Sequence, residues 1–202
     1  MSKESVFKRR IFPVIFMLVV TLVFIAVTTV IYTFSEDTIR FNEALRARRA
    51  ILYAAGIPVP ESPQDTDRIY EETVKEIEST EENVEYYLVR GGPSEQPLAV
   101  VVIRGPGLWG TITMAVGYDR AAGTIAGIEV IDQNETPGLG GRIGEGWFKE
   151  QFRGKRLPLR TVSEGETAGD TEFQAITGAT YSSQAVRDIV NNAAGYLADF
   201  RE

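Results

Sequence analysis

The hydrophobic pattern changes period several times along the chain. Ile11 to Phe34 carries no charged residue over 24 positions and is rich in Val, Ile, Phe and Leu. As a helix, such a stretch crosses a bilayer core of about 30 Å. Thr38 to Ala55 then places Ile39, Leu45, Ile51 and Leu52 at helical spacing, with Gly56 as the stop. Pro58, Pro60 and Pro63 break that pattern. Asp65 to Glu82 is strongly acidic and is expected to be helical around Val74 and Ile77, with a solvated charged face.

From Val84 the β signals begin. Val84–Arg90, Leu98–Arg104, Thr111–Tyr118 and Thr124–Ile131 are rich in β-branched and aromatic residues. Gly-Gly-Pro, Gly-Pro-Gly and Ala-Ala-Gly punctuate them. Connections this short predict an antiparallel meander. Gly146 to Phe152 reads as a short helix before a Gly154-Lys155 turn, and the polar, Gly-rich Thr161 to Asp170 as a loop. Ala185, Val186, Ile189, Val190, Ala193, Ala194, Leu197 and Phe200 step by threes and fours, predicting a final helix from about Ser182. The fold class is therefore α+β, one antiparallel sheet with packed helices.

Charge gives the chain a direction. Its net charge is −7, but the first ten residues, with Lys3, Lys8, Arg9 and Arg10 against Glu4, carry +3 and the rest −10. Basic residues before the apolar run and Glu36 and Asp37 after it place the N-terminus in the cytoplasm and the remainder outside. The run exceeds a signal-peptide core, and no clear A-x-A site follows, so it reads as a retained anchor. The expected organisation is a cytoplasmic tail at 1–10, a transmembrane helix at 11–34, a helical connecting region at 35–82 and a domain at 83–202. An acidic body argues against nucleic-acid binding as the main role.

The chain contains no Cys and no His. That excludes Cys/His zinc sites, iron–sulfur clusters, His-ligated haem, and Ser-His-Asp or Cys-His catalysis. Redox chemistry then requires an organic cofactor or an O-ligated metal.

Three stretches carry candidate chemistry. Thr177-Gly178-Ala179-Thr180-Tyr181-Ser182-Ser183 crowds hydroxyls at the start of the final helix. Unpaired N–H groups and the positive end of the helix dipole make that a place for a phosphate. A plain helix cap by Thr180 or Ser182 is the simpler reading. Arg104-Gly105-Pro106-Gly107-Leu108-Trp109-Gly110 precedes a strand, and Glu135-Thr136-Pro137-Gly138-Leu139-Gly140-Gly141 follows one. Each reads alone as a tight turn, yet glycines also let backbone reach a ligand, and Leu139 or Trp109 offers an apolar wall for a flat ring.

Together, in this order and at this approximate spacing, the three stretches resemble the motifs of the FMN-binding domain family. Within it the likeness is to the G subunits of Rnf-type ion-translocating electron-transport complexes, and to the longer, related C subunits of sodium-pumping NADH:quinone oxidoreductases. The resemblance covers the anchor and the chain from Val84 onward. It implies an extracytoplasmic domain on the inner membrane that holds FMN covalently and passes electrons within a complex driving Na⁺ or H⁺ movement. The phosphoester would be on Thr180, with Thr177, Gly178, Ala179 and Ser183 around the phosphate. Glu135, Thr136, Pro137, Gly138, Leu139, Gly140, Leu108 and Trp109 would line the isoalloxazine. Implied partners are the other membrane subunits and a flavin transferase using FAD. The chain departs from the family at Gln174, where Asp is usual. A stand-alone flavinylated carrier, or an anchored ligand-binding domain without flavin, are the competing readings.

Overall fold

The computed structural model describes residues 10–77 and 84–199. Most of the basic tail, part of the acidic segment and Phe200 lie outside the described residues. The chain divides into two compact units, one reaching Ala44 and the other starting at Leu45, well ahead of residue 83.

In the first unit the chain is helical, as the early part of α1, Phe12–Ala54. Its apolar side chains, from Ile11 to Phe34, are exposed. By length and composition α1 can cross a membrane. Neither Gly nor Pro interrupts it after Pro13.

The second unit is built on a five-stranded antiparallel sheet in the order β1-β2-β3-β4-β5. The strands are β1 Val74–Ile77, β2 Val84–Val89, β3 Leu98–Pro106, β4 Thr111–Asp119 and β5 Thr124–Asp132. The expected meander, β2 to β5, lies within two residues of its predicted bounds. Strand β3 is central and buried from Leu98 to Ile103, which explains its unbroken apolar run. Its alternate residues serve two cores. Leu98, Val100 and Val102 meet Ala50, Ile51, Leu52 and Ala54 of α1. Ala99, Val101 and Ile103 meet the other layer.

That other layer contains a 3-10 turn at Gly140–Gly144, α3 Gly146–Glu150 and α4 Thr180–Asp199. Phe148, Phe152 and Phe173 pack ring against ring in it, with the last two centroids 4.5 Å apart. The apolar stripe of α4, including Val186, Ile189, Val190 and Leu197, closes the layer. Area burial of this kind contributes about 1.5–3 kcal/mol per large side chain.

Two expectations are corrected. Among the described residues, the acidic segment is helical only as α2, Pro63–Thr73, capped by the Ser62 hydroxyl. Val74 and Ile77 then form β1, pairing with β2. Three residues apart, they would share a helix face. On a strand they take opposite faces, and each packs against a different core cluster. The polar stretch after residue 160 begins as strand β6, Arg160–Val162, paired in parallel with β7, Glu172–Gln174. Only its remainder is a loop.

One close approach fixes where α1 ends on the sheet. Gly117 of β4 pairs with Gly127 of β5. A Cβ on Gly117 would lie 2.1 Å from the Ala54 carbonyl oxygen, and one on Gly127 would lie 3.1 Å from it. The helix terminus thus sits in a trough that only glycines leave open. Gly117→Ala is expected to cost about 3 kcal/mol of unfolding free energy through overpacking. Gly144→Ala, where a Cβ meets nothing within 4 Å, serves as the control. Denaturant unfolding of the full chain in detergent checks this, and equal stability of the two variants would refute the trough.

Candidate functional site

The three motif stretches meet at one buried carboxylate. Glu135, 4% exposed, sits just beyond β5, and its backbone N–H donates to Gln133 Oε1 at 2.5 Å. Its Oε1 accepts the backbone N–H groups of Leu108 at 2.8 Å and Trp109 at 3.1 Å. Its Oε2 accepts the hydroxyl of Ser182, in the first turn of α4. A buried carboxylate is tolerated only when donors surround it, and here the donors come from both neighbouring motifs. Two glycines make room. A Cβ on Gly107 would lie 2.6 Å from Glu135 Oε1, and one on Gly140 would lie 2.3 Å from Ser182 Oγ and 2.7 Å from Glu135 Oε2.

The Thr136–Gly141 turn closes through Leu139 N–H and Gly141 N–H, both donating to Thr136 O. Gly138 has φ +73° and open space where a Cβ would be, so backbone conformation is what demands glycine there. Gly178 has φ +79°, and its missing Cβ would lie 3.4 Å from Leu139 Cδ2. Leu139 therefore stands directly beside the Thr177–Thr180 turn.

At that turn the hydroxyls separate into two kinds. Ser183 is fully buried; its Oγ accepts Ile176 N–H and donates to Ala179 O, both at 3.0 Å. Ser182 is 1% exposed and committed to Glu135. Thr177 and Thr180 are exposed. No side chain among the described residues accepts from the N–H groups of Thr180, Tyr181 or Ser182, and the Thr180 hydroxyl has no partner there either. The helix start is therefore not capped by its own hydroxyls, and its N–H groups are available to an anion.

Glu135 and Ser183, expected against the cofactor, are thus turned inward and hold the turns in shape. Ala179 is buried as well, its carbonyl accepting Ser183 N–H at 3.0 Å. Thr136, Pro137, Gly138, Leu139, Leu108 and Trp109 face outward, and Gly140 lies inside against Glu135. Trp109 is 68% exposed, and Tyr181, the second residue of α4, is 71% exposed. An open cleft of about 490 Å³ is lined by Thr161, Glu164, Ile176, Thr177, Gly178 and Thr180. That is within the usual size of a cofactor site. A free helix N-terminus, an exposed hydroxyl, apolar neighbours and this volume fit a phosphorylated flavin.

Two groups of the site carried no sequence signal. Glu164 accepts Thr177 N–H at 2.7 Å from within the polar loop. That bond foremost, then the Thr177 hydroxyl, holds its carboxyl below the usual range, with Arg142 assisting and desolvation opposing. Arg142 lies 3.7 Å from Glu164 and 5.1 Å from the centre of the Trp147 ring. Gln174 ties this loop down: its Oε1 accepts Gly165 N–H at 3.0 Å and its Nε2 donates to Glu166 O at 2.8 Å. The longer amide reaches two backbone groups of the loop at once.

Glu135→Ala is expected to cost about 1.5–3 kcal/mol, because a charged acceptor of three hydrogen bonds is lost, one of them from the buried Ser182 hydroxyl. Amide exchange at Leu108 and Trp109 should accelerate with it. Unchanged exchange at those two amides would show that the carboxylate does not hold the loop.

Comparison with known proteins places this geometry. Residues 107–195, which contain all three turns from Gly107 onward, match the family described as FMN-binding domain. The G subunit of the Na(+)-translocating ferredoxin:NAD(+) oxidoreductase complex of Acetobacterium woodii is 34% identical over 163 residues, covering 79% of this chain and 75% of that protein. The C subunit of the Na(+)-translocating NADH-quinone reductase of Yersinia pestis is 35% identical over 116 residues, covering 54% of this chain. The match spans only 44% of that protein's own length. Among solved structures, the C subunit of a Na(+)-translocating NADH-quinone reductase from Parabacteroides distasonis superposes with a TM-score of 0.69 at 24% identity, over 83% of this chain and 98% of that one. That likeness speaks for the fold. Similarity to the Acetobacterium protein over three quarters of its length, with the domain match across the three turns, makes the chain a member of the FMN-binding domain family that includes these G and C subunits.

Proposed function

We propose that this chain is a membrane-anchored electron carrier with FMN esterified to Thr180, working within an Rnf-type ion-translocating oxidoreductase complex. The observation that carries this reading is the sorting of hydroxyls at the start of α4. Thr180 is exposed and unpartnered beside free N–H groups, while the rival Ser182 and Ser183 are buried and bonded.

Attachment is assigned to a flavin transferase, since the chain contains no His or Cys to activate the Thr180 hydroxyl. The Thr180 oxygen forms the new bond to the FMN phosphorus of FAD. The bond to AMP breaks, AMP leaves, and the hydroxyl proton passes to a base of the transferase. The helix dipole favours the resulting anion by about 0.3–1 kcal/mol at an exposed site, too little to retain a cofactor without a covalent link. When bound, flavin supplies reversible electron transfer, and the protein contributes attachment, orientation and surroundings. Leu108, Trp109 and Leu139 offer the apolar surface for the ring, and Thr136 to Gly138 its rim. Membership of a family with members in such complexes, and the electron-transfer names those relatives carry, support the role.

Exposed apolar side chains along residues 11–34 support anchoring in a membrane, where lipid replaces the missing protein contacts. The basic tail supports an N-terminus in the cytoplasm and a flavin domain outside. Full-length protein co-produced with a flavin transferase should give a fluorescent band after denaturing electrophoresis. Thr180→Ala should abolish the band, and Thr177→Ala should keep at least part of it. Full fluorescence in Thr180→Ala would refute the attachment point. For sidedness, a reporter active only outside the cytoplasm, fused after Glu202, is expected to be active. Activity of a cytoplasmic reporter alone at that position would reverse the topology.

A further inference from the structure

The turn that presents Thr180 already holds an anion of its own. Glu164 accepts Thr177 N–H at 2.7 Å. Its other oxygen faces Arg142 Nη2 at 3.7 Å. Arg142 is only loosely engaged: Glu145 Oε2 is 3.5 Å from its Nε, and no carboxylate among the described residues approaches it at a short bidentate distance. Glu164, Thr177 and Thr180 line the same open cleft. The other carboxylate of that cleft, Glu166, already accepts Ser163 N–H at 3.0 Å.

We propose that Glu164 is a positioning residue that holds the Thr177 turn in the FMN-free chain. Its carboxylate keeps the Thr177 turn in shape while Thr180 is unmodified. Once Thr180 carries a phosphodiester, Glu164 releases Thr177 and closes onto Arg142. This inference rests on Thr180 being the attachment point. Two unit negative charges in one turn repel, and the one on a flexible side chain is the one free to leave. The guanidinium beside Glu164 gives it a destination, turning a long contact into a short charge-assisted pair. The N–H groups of Thr180 to Ser182, which Glu164 does not reach, serve the phosphate instead.

The test compares thermal unfolding of full-length wild type, Glu164→Gln, Glu164→Ala and Arg142→Gln in detergent. Each is prepared without and with the flavin transferase, the flavinylated fraction being separated. Both Glu164 variants should lower the midpoint of the FMN-free form by about 2–4 °C and leave the flavinylated form nearly unchanged. Flavinylation then raises their midpoint more than it raises that of wild type. Arg142→Gln should do the reverse and shrink the rise, because Glu164 has lost its destination. A purely structural role would lower both forms equally; equal rises in all four proteins therefore overturn the proposal while the attachment point stands. Absence of a Thr180-dependent fluorescent band in wild type overturns the attachment point and this inference together.

Discussion

A carboxylate taken out of water must find donors, and at Glu135 every donor comes from another part of the site. That single requirement draws the Leu108-Trp109 loop, the Thr136–Gly141 turn and the start of α4 onto one another. The two neighbouring glycines follow from it, since a Cβ at Gly107 or Gly140 would intrude on the carboxylate or its partner. So does the exposure of Thr180. With Ser182 turned toward Glu135 and Ser183 turned toward Ile176 and Ala179, the remaining hydroxyl of the helix start points away from the core. Of these three nearby hydroxyls, one is committed to the buried carboxylate, one to backbone, and only Thr180 is left exposed.

The meander from β2 to β5 was legible in the sequence because its signal is local. Each strand of the meander alternates or runs apolar within its own residues, and the turns between strands carry Gly or Pro. The motifs were legible for a similar reason, being contiguous. What stayed hidden depends on partners far along the chain. Glu135 looked like a residue of the ring wall, because nothing near it reveals that its bonds reach 26, 27 and 47 residues away. Ser183 looked like a phosphate ligand because adjacent hydroxyls on a helix look alike until one face is buried. Val74 and Ile77 looked helical because a spacing of three fits a helix face, and only the two separate cores show that a strand was needed. Glu164 and Arg142 come from a polar loop and a Gly-rich turn, where charged residues ordinarily face solvent.

The charges around the cleft are balanced by few cations. Glu164 and Glu145 stand near Arg142, and the chain contains no His.

The long reach of the Glu135 bonds also sets an order of events. The meander from β2 to β5 joins strands that follow one another, so its loops close early and at small entropic cost. The helix start comes into register only when Ser182 finds a carboxylate 47 residues upstream. A growing chain therefore displays the hydroxyl-Gly-Ala-hydroxyl letters well before it possesses the shaped surface around them. Recognition that requires that surface distinguishes finished molecules from unfinished ones, with no separate proofreading step.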